Sequence, residues 1–164
     1  MNTMKRLGVS LAMLLLAACG GSEDPPPSSS TDDAFRFEKQ GELGFCRDSV
    51  LIKQVDIELA RTDAERAQGL MNRPWMEETH AMIFFMDREE RQSFWMRNTI
   101  IPLDIIFVNS DLRIVSIAED TQPMSDRAIP SRGPALYVVE VIAGFTQKYG
   151  LQAGDEIRFE IMDS

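Results

Sequence analysis

The chain has 164 residues, 44% hydrophobic and 26% charged, with 17 Lys and Arg against 26 Asp and Glu for a formal charge of -9. That length suits one globular domain, the composition excludes a collagen-like or wholly disordered chain, and the acidic balance argues against nucleic acid, whose binding needs a basic face. One histidine and two cysteines leave no zinc finger and no disulfide framework, and no cofactor motif is present.

At the N-terminus, Lys5 and Arg6 precede an apolar run, Leu7 to Ala18, that ends directly before Cys19. A basic start followed by such a run reads as a signal peptide, and about 12 apolar residues fall short of the roughly 20 that cross a bilayer as a helix. Leu16-Ala17-Ala18-Cys19 resembles the lipobox of bacterial lipoproteins. The resemblance implies cleavage before Cys19, a diacylglyceryl group on its thiol and acylation of the new amine; two or three chains anchor a protein stably where one does not. Gly20 after the cysteine, in place of Asp, points by the sorting rule of such lipoproteins to the outer membrane, with the domain in the periplasm. Residues 1–18 are thus read as the signal peptide and 19–34 as the lipidated cysteine and tether. The tether, Gly20 to Asp33, is rich in Pro and Ser with no large apolar residue. Extended at roughly 3.1 Å per residue it reaches about 40 Å from the lipid. Loss of the leader removes Lys5 and Arg6 and no acid, so the mature chain is more acidic still.

The remainder, 35–164, reads as one mainly β (α+β) domain. Val55 to Leu59 and Ile157 to Ile161 alternate apolar and polar residues, as strands with one solvated face do. Met82 to Met86, Ile105 to Val108, Ile114 to Ile117 and Tyr137 to Ile142 are short apolar runs suited to strands covered on both faces. Asn109-Ser110-Asp111 predicts a hairpin turn. Thr62-Asp63-Ala64-Glu65 is a capping box that opens a short helix ended by Gly69, and a second short helix runs from Gly144 to Tyr149 before Gly150. Many strands and two short helices predict a compact antiparallel β-barrel-like domain.

Gly69-Leu70-Met71-Asn72-Arg73, Met82-Ile83-Phe84, Phe94-Trp95-Met96-Arg97-Asn98-Thr99 with Ile101 to Phe107, and Tyr137-Val138-Val139-Glu140 with Ala143-Gly144 resemble the Domain of Unknown Function 192 family, over about residues 55–159. The resemblance implies a β-barrel-like domain, often secreted or lipid-anchored, with no established activity and a suggested lectin-like role. His80-Ala81 departs from the Gly common before the Met82 stretch, which places His80 outside the shared pattern.

Two carboxylates interrupt apolar strands, Asp104 and Glu140, and each needs a partner when buried. Strand alternation puts Asp104 on a face with Ile106 and Val108, and Glu140 with Val138 and Ile142. Arg73, Arg97, Asn98, Thr99 and Ser131 are the candidate partners. One reading is a structural Arg–carboxylate network, with Arg73 and Arg97 paired to the two acids. A second is a pocket for a small polar or carbohydrate ligand, with Trp95 as an apolar platform and Arg73, Arg97, Asn98, Thr99, Asp104, Ser131 and Glu140 offering hydrogen bonds. A third is an envelope glycan hydrolase using Asp104 and Glu140, which needs two carboxyls roughly 5 to 10 Å apart with unlike acidity. A triad would have to use His80, which reads instead as a solvated loop residue. Cys46 reads as a free thiol once Cys19 carries lipid, and the methionines, including Met82 and Met86 on one strand face, as core filling ahead of a copper site. Non-catalytic ligand binding is the favoured function, with hydrolase and structural or protein-interaction module as alternatives; the sequence leaves the oligomeric state open.

Overall fold

The computed structural model describes residues 36–162; the stretches expected to be a signal peptide, a lipidated Cys19 and a tether lie outside them. Seven strands and two short helices follow in the order β1 (Gly41–Arg47), β2 (Val50–Ala60), α1 (Asp63–Gln68), β3 (His80–Phe94), β4 (Leu103–Val108), β5 (Ile114–Thr121), β6 (Ile129–Ile142), α2 (Phe145–Tyr149) and β7 (Glu156–Ile161). They form one sheet in the order β5-β4-β6-β3-β2-β1-β7, curled into a half-barrel. The outermost strands approach at one end, where the backbones of Arg113 and Glu156 form an antiparallel bridge and Ile114 N–H donates to Asp155 O at 2.8 Å. Arg47 reaches from β1 to this seam and grips the buried Asp155 with two hydrogen bonds of 2.7 Å, holding its carboxyl below the usual range.

All strand pairs are antiparallel except β2–β3, which is parallel. A parallel pair needs a crossover, and the segment from Arg61 to Thr79 supplies it with α1 inside. The capping box forms as its sequence predicts: Thr62 accepts from Glu65 N–H, and the Glu65 carboxylate accepts from Thr62 N–H at 2.8 Å. The Asn109 turn also forms, its side chain accepting from Arg113 N–H at 2.8 Å.

Two apolar clusters lie on opposite faces of the sheet. Leu43, Phe45, Ile57, Ile83, Ile106, Val139 and Ile157 fill the concave interior, plugged by Phe145 of α2. Phe84, Ile105, Phe107 and Val138 point the other way and pack against Leu70, Met76, Met96 and Ile101 from the connecting segments. This second layer explains why β4 is buried at every position. The distal half of β3 and the proximal half of β6 pair as an arm whose Phe94, Ile129 and Ala135 join the same outer layer.

Two sequence expectations change here. His80 is no solvated loop residue: it opens β3, its side chain is 16% exposed, and its ring stacks on Phe37 at 3.7 Å between centroids. Glu58, on the alternation outward-facing, is buried because Arg73 folds over it at 2.7 Å. Cys46 is a buried free thiol, and Met76, Met82 and Met96 are core, whereas Met124 and Met162 are exposed.

Candidate functional site

Asp104 and Glu140 are one step out of register across β4 and β6, so they leave the sheet on opposite faces. Asp104 faces Val141 and the interior, whereas Glu140 lies between Met82 and Ile105 in the outer layer. Nothing in that arrangement joins them as the acid pair that glycoside hydrolysis uses.

Asp104 is fully buried and fully employed. Asp120 N–H donates to its Oδ1 at 2.9 Å, and Thr146 donates to Oδ2 twice, from N–H at 2.9 Å and from O–H at 2.7 Å. The Gly144 N-cap of α2 has no side chain to cap the helix, so Asp104 does it from the neighbouring strand. An irregularity in β5 between the partners of Leu103 and Ile105 brings Asp120 N–H within reach.

Glu140 is the opposite case. It is 5% exposed, and burial alone pushes its carboxyl up to about 8, with no neighbouring charge or hydrogen bond to offset it. It lines an open pocket of about 230 Å³. The walls are Leu70 and Met71 after α1, Phe84 and Met86 of β3, then Phe94 and Trp95 at the end of that strand; Ala67, Gln68, Gly69, Ser93 and Thr99 also line it. Gly69 has φ +43, and a Cβ there would stand 3.2 Å from the Phe84 ring, so glycine both turns the chain and leaves the wall thin. Arg66 stands at the α1 side, its guanidinium held by Asp63, by Asp87 at 3.2 Å and by the Phe85 carbonyl at 2.8 Å.

Three connecting segments are tied together around this pocket. Asn72 N–H donates to Asn98 O at 2.7 Å, Met124 N–H to Thr99 O at 3.0 Å, and Met96 N–H to Ser125 O at 2.9 Å. Asn72 and Asn98 both have left-handed backbone, φ +60 and +53, which asparagine tolerates better than most residues.

The other candidates divide accordingly. Trp95 and Thr99 line the Glu140 pocket; Arg97 lies over the Trp95 ring at 4.0 Å and pairs with Asp126 at 2.6 Å; Asn98 reaches the Met71 sulfur at 3.8 Å. Arg73 pairs with Glu58, so neither arginine meets Asp104 or Glu140 and the expected Arg–carboxylate network does not form. Ser131 sits elsewhere, accepting from Gln92 N–H at 2.9 Å and donating to Gly133 O at 2.7 Å across an irregular stretch of the β3–β6 arm. Leu70, Met71, Phe84, Met86 and Phe94 were not legible as pocket residues, since apolar side chains in a motif read first as core. Glu140 within Val-Val-Glu-Val carried the one usable signal.

The model of the family described as Uncharacterized ACR, DUF192, matches residues 45–159. The chain belongs to the DUF192 family. The match begins about ten residues before the stretch where the sequence motifs start, because it takes in the end of β1. Among solved structures, a protein of unknown function from Novosphingobium aromaticivorans DSM 12444 is 38% identical, matched over 71% of this chain and 83% of its own, with a TM-score of 0.68. A protein from Sinorhizobium meliloti 1021, described as a candidate transcription regulator, is 32% identical over 76% of this chain and 97% of its own, with a TM-score of 0.71. No curated protein matches the sequence. The four stretches that carry the DUF192 resemblance converge in space: Gly69 to Met71, Phe84, then Phe94, Trp95 and Thr99, and Glu140 all line this pocket.

Proposed function

We propose that this protein is a non-catalytic binding module of the bacterial envelope, taking a small ligand that presents one polar group to Glu140 and an apolar body to Trp95 and its neighbours. The observation that carries this reading is the Glu140 carboxyl, buried at the back of a recess lined mainly by apolar side chains, with no hydrogen-bond partner among the described residues. A buried polar group is costly unless satisfied, and a bound ligand would satisfy it. The volume of about 230 Å³ lies below the roughly 300 to 1,000 Å³ of sites for drug-sized molecules, which argues for a small ligand. Of the two ligand kinds the sequence suggests, the walls favour a small polar molecule over a sugar, because a hexose would bury several hydroxyls against Leu, Met and Phe. The hydrolase alternative lacks its second carboxyl, since Asp104 lies on the other face. The regulator description of the Sinorhizobium relative gains no support from a chain of charge -9.

The test is thermal unfolding of the full chain in detergent against a panel of small alcohols, amines, amides and sugars. A ligand at 100 times its Kd is expected to stabilise by about 2.7 kcal/mol, an effect that Trp95→Ala should abolish or sharply reduce. Equal shifts in parent and variant would place binding elsewhere, and no shift with any compound would reject the reading.

We also propose that Cys19 carries the lipid anchor and that the Gly20 to Asp33 tether holds the domain off the outer membrane, on the strength of the lipobox-like sequence. Labelling of cells with a radioactive fatty acid is expected to mark this protein, and Cys19→Ala should remove the label. Persistent label in the variant would overturn the anchor.

A further inference from the structure

The walls and the floor of the Glu140 pocket are chemically lopsided. Three aromatic rings, Phe84, Phe94 and Trp95, line one small recess with the thioethers of Met71 and Met86, and the floor is a single carboxyl that nothing else engages. Phe84 and Phe94 stand edge to face at 5.1 Å, which fixes the angle between two of the rings. Resting on the binding reading above, we infer that the ligand is a small organic cation, an alkylammonium whose charge pairs with Glu140 while its methyl or methylene groups lie against the rings.

Aromatic rings present negative faces to a cation, and a desolvated cation gains most from them. An anion would meet the acid floor with only one cationic group in the lining, Arg66, whose guanidinium is already occupied by Asp63, Asp87 and a backbone carbonyl. A neutral polyol would find few hydrogen-bond partners. The Thr99 hydroxyl already faces Arg97 O at 3.3 Å, leaving Gln68 at the rim, Ser93 and Glu140 as side chains for the rest. The strongly acidic chain draws cations toward it as well.

Binding should then compete with a proton. The groups that surround Glu140 are Arg66 from α1, His80 one step along the same face of β3, Glu58 with its partner Arg73 beyond Met82, and Arg97 over Trp95. From β4 its neighbours are the apolar Leu103 and Ile105. Because its burial favours the protonated form, a cation that requires the carboxylate binds more tightly as pH rises.

The experiment compares choline with its neutral isostere 3,3-dimethylbutan-1-ol by titration calorimetry on the full chain in detergent, at pH 6, 7, 8 and 9. Choline is expected to bind about tenfold or more tightly than the isostere at pH 8, with affinity rising up to about pH 8 and levelling above it. Glu140→Gln should erase the preference for choline while keeping the isostere. A parent protein that binds the isostere as well as choline overturns the cation and leaves the pocket standing, as does a Gln variant that still prefers choline. A chain that binds neither compound nor any member of the wider panel fails both readings together.

Discussion

Replacing Asp104 with alanine is expected to cost about 4 kcal/mol of folding stability, read by urea unfolding at neutral pH. Three donors, the Asp120 N–H and the N–H and O–H of Thr146, would lose their acceptor in a place where Asp104 and Thr146 are both fully buried. Each donor left unpaired costs about 1 to 3 kcal/mol, and local relaxation recovers part of the sum. The loss would not stop at one side chain. Phe145, next to Thr146, plugs the interior cluster, so loosening the start of α2 loosens the lid of the concave core. Asp104→Asn keeps one acceptor oxygen but turns an NH₂ group toward the remaining donors, and about 2 kcal/mol is expected. A melting curve unchanged in the alanine variant would mean that the helix is capped by something other than Asp104.

In the sequence Asp104 and Glu140 look alike, each an acid inside a β-branched run, and the alternation rule placed both on the faces they occupy. What the sequence does not contain is which face of which strand becomes the concave interior. A difference of one residue in pairing decides that, and it sends Asp104 toward α2 and Glu140 into the outer layer. The capping box, the Asn109 turn and the doubly buried β4 were legible because each depends on neighbours within a few residues. β1 went unread, and so did the β3–β6 arm, whose Asp87 to Gln92 stretch is entirely polar and whose β6 half carries Pro130 and Pro134. The arm owes its pairing to residues some 40 positions away, with poor strand propensity on both sides, and β1 is held between β2 and β7, the latter from the far end of the domain. The partners of Arg73 and Arg97 were misread for the same reason: Glu58 and Asp126 are brought to them by the β2–β3 crossover and by the ties between the connecting segments.

Glu140 gives the second large effect, and its sign is opposite to that of an ordinary salt-bridged acid. A carboxyl held near 8 in the fold, against an ordinary 4.5, keeps its proton in the folded chain over a range where the unfolded chain has lost it. The stability linked to that proton is complete below about pH 4.5, declines as pH rises and is gone once pH passes about 8. The size is roughly 5 kcal/mol, from about 1.4 kcal/mol for each unit of displacement. Other displaced groups act outside this window. Glu65, Glu78, Glu89 and Asp155 are lowered by their hydrogen-bond partners and matter in acid, while Lys39 and Lys148 are raised and matter in strong alkali. Urea unfolding from pH 5 to pH 9 should therefore show the parent chain losing stability while Glu140→Gln stays nearly level, so that the variant is the more stable protein at pH 9. Parallel curves would show that water or a charge reaches Glu140. A divergent pair would establish that the fold keeps, at the floor of its pocket, a group that destabilises it when ionised. In a binding protein such a group is retained because a ligand, and not the fold, supplies its partner.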